Sequence, residues 1–363
     1  MNSVQFNKNY GGPLHYLGNR FLSLPDTSGH MHPDSSWLKE HFSIIQFNND
    51  GKKYKRCIEP FSGCASWTIA AMELGVAEQY IINDSDKVLI LSLKLIKDEP
   101  VLLKERYALL VQGFEQSSAK KAYFLKTLET YNHVNNDNEK ALILPFIINH
   151  SWSGILFHNS TGDILYWEGP LFEGKSSERF LEKANLSVEQ FNTEIDRVSG
   201  LFNANHIEFR SGDFLDALVD IRSDDFIALN PPYPENERSV AEKTGMYTEL
   251  YSPEKLHENL KQLVDKMEDN GIHYYMTYGF YNPILHKYVL LDSMKNPKNY
   301  FRVLGYENCA FGIGLDQMYF TSKFSIPTHL KTKVILATKV LEKGSTIKPE
   351  EALRQYNALL PIS

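Results

Sequence analysis

Outside its middle third, the chain alternates between two patterns of apolar residues. Short apolar runs that end in turn residues, such as those through Ile58, Ile81 and Ile227, are typical of buried β-strands. Between these runs, apolar residues recur at the spacing of one helix face, as in residues 67–74 and 253–267. Strands that alternate with helices are typical of a mostly parallel sheet covered by helices. The pattern therefore predicts an α/β protein with a Rossmann-like sheet.

The same pattern gives approximate limits for each element. Strands are predicted to start near Cys57 and to span residues 79–82, 207–209, 226–229 and 271–278. Helices are predicted at residues 35–47, 67–74, 215–219, 253–267 and 349–360. Residues 300–339 alternate short strands with turns, which indicates an antiparallel edge of the sheet.

In the middle of the chain the strand–helix alternation stops and helical spacing dominates. Helices are predicted at residues 88–110, 122–131 and 141–148, and a hairpin is predicted to start at residues 163–167. We interpret this region as an inserted, mainly helical subdomain. The predicted organisation is a discontinuous sheet domain at residues 1–86 and 205–340, an insertion at 87–204, and a C-terminal tail at 341–363.

Composition narrows the class of protein. The chain has 363 residues, of which 42% are hydrophobic and 23% charged, as in ordinary globular proteins. No apolar run is long enough to span a membrane, and the first residues lack the pattern of a signal peptide, so we expect a cytoplasmic protein. The formal net charge of −7 argues against non-specific coating of nucleic acid but allows a local basic groove. The isolated cysteines Cys57, Cys64 and Cys309 predict neither a disulfide framework nor a zinc site.

The first predicted strand ends in a turn that can hold a cofactor. The residues are Glu59-Pro60-Phe61-Ser62-Gly63, and small residues follow before the next helix. Small side chains let backbone N–H groups approach a ligand closely. Asp84 ends the next strand at about the spacing at which an acid binds ribose hydroxyls in dinucleotide sites. The alternative is that Asp84 caps the helix that begins near residue 87.

Two further strand ends carry candidate binding residues. Asp213 and Phe214 follow the strand at 207–209, where an acid and an aromatic ring suit an adenine; alternatively, Asp213 caps a helix and Phe214 is core. The strand at 226–229 ends in Asn230-Pro231-Pro232-Tyr233, whose prolines must stop the strand in a rigid turn. Asn230 and the Pro231 carbonyl can accept hydrogen bonds from an amino group, and Tyr233 can stack on a planar base.

In this order, the motifs resemble the Dam-like class of DNA adenine methyltransferases over roughly residues 10–280. The first motif of that class is similar to Tyr16-Leu17-Gly18-Asn19-Arg20. The others are similar to the Glu59–Gly63 turn, to Asp84, to Gly212-Asp213-Phe214 and to Asn230–Tyr233.

The resemblance implies S-adenosylmethionine as methyl donor and double-stranded DNA as substrate. The implied methyl-donor residues are Tyr16, Gly18, Arg20, Glu59, Pro60, Phe61, Gly63, Asp84, Asp213 and Phe214. The implied catalytic residues are Asn230, Pro231, Pro232 and Tyr233, acting on an adenine flipped out of the duplex. No metal is implied. A restriction or defence-system partner is compatible with the resemblance, but the sequence identifies no partner and no oligomeric state.

The chain departs from the class at several positions. Arg20 stands where the class has lysine, and Asn230 stands where it has aspartate. Trp152-Ser153-Gly154 resembles a Phe-Asn-Gly segment, but Phe157 replaces an arginine that helps to hold DNA. Two alternatives therefore stay open: a DNA-binding module without activity, and an enzyme that methylates the amine of cytosine, RNA or protein glutamine.

Overall fold

A seven-stranded sheet forms the centre of the protein in the computed structural model. The structure describes residues 12–14, 42, 44–151, 156–159, 162–166, 186–232, 253–280, 301–309 and 312–320. In these ranges the strands are β1 (Tyr54–Glu59), β2 (Ala77–Asp84), β3 (Phe157–His158), β4 (Ile164–Leu165), β5 (His206–Ser211), β6 (Asp225–Leu229), β7 (His273–Phe280), β8 (Phe301–Cys309) and β9 (Gly312–Phe320). Strands β3 and β4 form a separate two-stranded hairpin.

The strand order of the large sheet is β5-β2-β1-β6-β7-β9-β8. The first five strands in this order are parallel, and β9 runs antiparallel to both of its neighbours. The chain leaves β1 towards β2 and β5 on one side and resumes at β6 on the other. A crevice therefore opens between β1 and β6 at the carboxyl ends of the strands, which is where ligands bind in such sheets. The predicted α/β fold with an antiparallel edge is confirmed.

Helices cover the sheet. Residues 44–48 are helical, at the end of the helix predicted at 35–47. In chain order, the helices that follow are α1 (Ser66–Glu73), α2 (Lys87–Asp98), α3 (Pro100–Gln116), α4 (Lys120–His133), α5 (Asp137–His150), α6 (Val188–Ala204), α7 (Phe214–Ala217) and α8 (Pro253–Asp269).

Three of these helices, α2, α3 and α6, differ from the expectation. The single helix predicted at residues 88–110 is two helices, because Pro100 has no backbone N–H and starts α3 instead of continuing α2. Helix α6 was not among the predicted helices. Its start carries a local signal, a capping box in which Ser187 and Gln190 satisfy each other's backbone N–H groups.

Alternate residues of the central strands enter two separate cores. Cys57 and Phe226 pack with α1 to α6 on one face, whereas Ile58 and Ile227 pack with α7 and α8 on the other. This is the two-residue period of a strand with both faces covered. Helices α2 to α6 of the predicted insertion share one continuous core with β1 and β2. The subdomain limits at residues 87 and 204 stay a prediction.

A buried ion pair lies at the amino-terminal edge of the sheet, opposite the crevice. Arg56 and Asp225 are register partners on β1 and β6. Arg56 Nε and Nη2 donate to the two Asp225 carboxylate oxygens at 2.9 and 2.6 Å. Arg56 Nη1 also donates to Asp220 at 2.8 Å, and the Arg222 N–H donates to Asp225 at 2.8 Å. Among the described residues, the hydrogen bonds to the buried Asp225 carboxylate come from Arg56 on β1 and from Arg222 in the turn before β6.

We expect Asp225→Ala to lower the free energy of unfolding by about 3–5 kcal/mol, because it leaves the Arg56 guanidinium buried beside β6 without its main partner. Urea denaturation measures this change. Asp224→Ala is the matched control, since Asp224 is the exposed neighbouring carboxylate and its loss should change stability far less. Equal losses in the two variants would contradict a stabilising role for the buried pair.

Candidate functional site

The crevice edge of the sheet brings most of the predicted site residues together. Glu59 ends β1, and Pro60, Phe61 and Gly63 follow it. Asp84 ends β2, Asp213 and Phe214 follow β5, and Asn230, Pro231 and Pro232 follow β6. Four predicted residues, Tyr16, Gly18, Arg20 and Tyr233, lie outside the described residues. So do Trp152, Ser153, Gly154 and the side chain of Phe157.

The turn after β1 is tight because two of its residues adopt left-handed backbone conformations. Gly63 has φ 49° and Ala65 has φ 57°. An L-residue such as Ala65 gives up roughly 1–2 kcal/mol in this region. The Ala65 N–H donates to the Ser62 carbonyl at 2.7 Å, which closes the turn directly before α1. Helix α1 has no side-chain cap from Ala65, so its first N–H groups are left for other partners.

Glu59 supplies one of these partners. Its buried Oε2 accepts hydrogen bonds from the Thr68 N–H at 3.2 Å and the Thr68 hydroxyl at 2.6 Å. Burial raises the pKa of Glu59 to about 8; the Thr68 bonds oppose this rise and Asp84 adds to it. Glu59 thus ties the end of β1 to the first turn of α1. Thr68 was not predicted to take part in the site.

Asp84 binds the same turn from the neighbouring strand. One carboxylate oxygen accepts from the Gly63 N–H at 2.8 Å and the other from the Asp86 N–H at 3.0 Å. Burial raises the pKa of Asp84 to about 6, against the effect of these bonds. The alternative role of Asp84 as a helix cap is not found, because Asp86 caps α2 through the Val88 and Leu89 N–H groups. Each Asp84 oxygen can accept a second hydrogen bond, so the ribose role stays a prediction.

Asn83 joins three strand ends and was missed by the sequence analysis. Its amide nitrogen donates to the Pro60 carbonyl at 3.1 Å and to the Gly212 carbonyl at 3.0 Å. The Ser62 N–H donates back to the Asn83 carbonyl at 2.9 Å. The sequence does contain a signal for this role, because Asn83 is a polar residue at the end of an apolar strand. It directly precedes Asp84, the acid predicted to bind ribose hydroxyls.

The turn after β5 places Asp213 and Phe214. Asp213 caps α7 by accepting from the Leu215 N–H at 2.8 Å. Phe214 is buried, and its ring centroid lies 4.7 Å from that of Phe61, so the turns after β1 and β5 touch. These contacts match the capping and core interpretation, and the adenine-binding role stays a prediction. A Cβ atom added at Gly212, which has φ 150°, would meet no atom within 4 Å.

Asn230 leaves the sheet beside the turn after β1. Strand β6 is buried along its whole length, and Ile227 is the register partner of Ile58. Asn230 follows Ile227 by three residues, and Glu59 follows Ile58 by one. Asn230 is half-buried and Pro231 is buried, so the proline corner is packed on one side and reaches the surface on the other. Parallel pairing therefore sets the predicted amine-binding corner next to the predicted methyl-donor turn.

The residues at this edge fit a positively charged ligand with a polar end. The carboxyl groups of Asp84 and Asp213 lie at the crevice, where they favour a cationic ligand. Ser62 Oγ is buried in the turn after β1 and has no hydrogen-bond partner among the described residues. A buried hydroxyl without a partner costs free energy, which a ligand that reaches it would relieve.

Within the described ranges, no group of three or more His, Cys, Asp or Glu residues could hold a metal ion. In the same part of the chain, no helix combines the length and the apolar character needed to cross a membrane. Cys57 and Cys64 are buried free thiols.

Comparison with known proteins gave three findings. A family model described as D12 class N6 adenine-specific DNA methyltransferase matches residues 35–300. The "Type II methyltransferase M1.LlaDCHI" of Lactococcus lactis subsp. cremoris is 26% identical over 222 residues, which cover 59% of this chain and 70% of that protein. The solved rRNA methyltransferase aviRa from Streptomyces viridochromogenes has a TM-score of 0.30 and 13% identity, covering 82% of this chain and 88% of that one. The fold assignment rests on strand order and direction, and not on this last likeness.

The raised pKa of Glu59 predicts a pH-dependent stability. The folded chain holds this proton more tightly than the unfolded chain, whose ordinary value is 4.5. The contribution is therefore complete below pH 4.5 and is lost as the pH rises through about 8. We expect the stability of the parent, relative to Glu59→Gln, to fall on the order of a few kcal/mol across this window.

Urea unfolding from pH 5 to pH 9 measures this difference. Glu115→Gln, which changes an exposed carboxylate on α3, should give a difference that stays flat with pH. A flat difference for Glu59→Gln as well would show that the Glu59 carboxyl is ionised without cost.

Proposed function

We propose, because the chain belongs to the D12 class N6 adenine-specific DNA methyltransferase family, that it moves a methyl group from S-adenosylmethionine to the exocyclic amine of adenine in DNA. The observation that carries this proposal is the meeting of two turns at the crevice. The Glu59–Gly63 turn after β1 and the Asn230–Pro232 corner after β6 leave adjacent parallel strands. A methyl donor held by the first turn would lie beside an amine held by the second.

The residues for the methyl donor surround the turn after β1. When bound, S-adenosylmethionine supplies a methyl group activated by a positive sulfonium centre. The carboxyl groups of Asp84 and Asp213 favour that charge, and Glu59 ties the turn after β1 to α1. Asp84 also fixes the Gly63 N–H and keeps acceptor capacity for ribose hydroxyls. By resemblance, Tyr16, Gly18 and Arg20 complete the site with Pro60, Phe61 and Phe214.

The residues for the amine follow β6. Asn230 Oδ1 and the Pro231 carbonyl would accept hydrogen bonds from the two amine hydrogens, which directs the nitrogen lone pair towards the methyl group. By resemblance, Tyr233 stacks on the flipped base and Pro232 keeps the corner rigid. Flipping the adenine costs a few kcal/mol, which this stacking and these hydrogen bonds offset.

The chain's contribution to rate is then mainly positioning. The amine loses its proton readily once it is alkylated, so the reaction needs neither a strong base nor a metal ion. Strand β6 is buried and carries the rigid proline corner, so Asn230 is held in place before the substrate arrives. Fixed acceptors aimed at the charge that develops on the nitrogen lower the barrier further.

A role in restriction–modification is part of the proposal. The Lactococcus relative is described as a type II methyltransferase, and its match covers 70% of its length. This likeness supports a chain that marks specific DNA sites for protection. Long-read detection of modified bases in cells that express the chain would identify those sites.

We expect Asn230→Ala to lower methyl transfer to DNA about 100-fold or more, because it removes an acceptor from the nucleophile. The dissociation constant for S-adenosylmethionine should stay within about threefold, since Asn230 lies outside the proposed methyl-donor turn. Transfer from labelled S-adenosylmethionine to mixed genomic DNA measures the rate, and calorimetry measures binding.

The exposed Asn270, which follows α8, provides the control variant Asn270→Ala, with unchanged transfer expected. Nucleosides from the digested product should contain N6-methyladenine. Methylcytosine in the digest, or equal transfer by Asn230→Ala and the parent, would refute the assignment.

We expect Asp84→Ala to weaken S-adenosylmethionine binding about tenfold or more, because it removes a ribose acceptor and frees the Gly63 N–H. Isothermal calorimetry without DNA measures the affinity directly. Asp98→Ala, at the exposed end of α2, serves as control and should bind like the parent. Unchanged affinity in Asp84→Ala would remove Asp84 from the site while leaving the Asn230 assignment intact.

A further inference from the structure

Three separate turns carry the described residues of the proposed methyl-donor site. Phe61 and Gly63 lie in the turn after β1, Asp84 ends β2, and Phe214 follows the turn after β5. Regular sheet pairing stops where these turns begin, at Glu59 with Ile82 and at Asp84 with Ser211. The relative positions of the three turns therefore depend on hydrogen bonds that lie outside the regular strand pairing.

Asn83 supplies most of those bonds. Its side chain is nine-tenths or more buried, with 2% of its surface exposed. Its single amide group donates to Pro60 on one side and to Gly212 on the other, at 3.1 and 3.0 Å. The Asn83 carbonyl accepts from Ser62, and the Asp84 carbonyl accepts from Gly212, at 2.9 and 3.0 Å.

A primary amide suits this position for a chemical reason. The Pro60 and Gly212 carbonyl oxygens belong to two different turns on opposite sides of Asn83. One hydrogen of the amide must point at each of them. An aspartate of the same shape has no hydrogen to donate when ionised and would set negative oxygens against both carbonyls. A serine hydroxyl can donate to only one of them.

We propose that Asn83 is a positioning residue for the methyl donor, which acts by fixing the turn after β1 relative to the turn after β5. The two turns meet at the Phe61–Phe214 ring pair, beside Asp84 and the open side of Gly212. The relative position of the turns sets whether one ligand can reach all of these residues at once. This inference rests on the proposed function.

The experiment separates positioning from a general loss of stability. The variants are Asn83→Asp, Asn83→Ala and Asn83→Ser, measured as full-length chains in steady-state methyl transfer with each substrate varied in turn. We expect Asn83→Asp and Asn83→Ala to raise the KM for S-adenosylmethionine about tenfold or more. Asn83→Ser should fall between these variants and the parent because it restores one bond. The kcat at saturating S-adenosylmethionine and the KM for DNA should stay within about threefold.

Asp225→Ala is the structural control. Asp225 lies at the opposite edge of the sheet, so its loss should lower stability without raising the KM for S-adenosylmethionine. If Asn83→Asp does not fold, the comparison of Asn83→Ser with Asn83→Ala tests the proposal, because their KM values for S-adenosylmethionine should still differ in the expected order. The hydrogen-exchange rates of the Ser62 and Gly212 backbone amides, measured below the melting temperature, should also rise in Asn83→Ser. They should not rise in Asp225→Ala.

Two adverse results are distinguishable. A parent chain that neither binds S-adenosylmethionine nor methylates DNA overturns the proposed function, and this inference with it. An active parent whose Asn83 variants lose stability but keep the KM for S-adenosylmethionine overturns the inference alone, because Asn83 would then be only structural.

Discussion

The parallel pairing of β1 with both β2 and β6 is the interaction on which the rest of the structure depends. Because β1 lies between β2 and β6, the chain adds β2 and β5 on one side of β1 and then adds β6 and β7 on the other side. The helices that follow β1 and β6 therefore leave the strand ends on opposite sides, and a crevice opens between the two turns. Every described site residue lies at the end of a strand or just after it at this edge, so the geometry of the site follows from strand order.

The two edges of the sheet are built differently. At the amino-terminal edge, Arg56 and Asp225 satisfy each other across β1 and β6. At the carboxyl edge, Glu59 and Asp84 are carboxyl groups whose pKa values are raised by burial, and Ala65 holds a left-handed conformation. Among the described residues, Ser62 Oγ adds a buried hydroxyl without a partner. Unfavourable features that concentrate at one edge are typical of a site shaped for a ligand and not for stability.

The helices of the predicted insertion share a hydrophobic core with the sheet. Leu89 and Leu93 of α2, and Phe202 of α6, are buried in the core that also contains Tyr80 and Phe226 of the sheet. A residue of these helices that contacted a substrate would therefore be held at a fixed position relative to the crevice, because close-packed cores are hardly compressible.

The sequence by itself determined the α/β class, the order of the strand-end motifs and the corner at Asn230, because apolar period and turn chemistry are local properties. The prediction missed the break at Pro100 and the helix at Val188–Ala204, although the proline and the capping box are local signals in the sequence. Only the tertiary structure showed that Asp86, and not Asp84, caps α2. Only it showed that Asn83 bonds to residues 23 and 129 positions away. Such bonds form between turns that meet only after the sheet has assembled, so no local pattern records them.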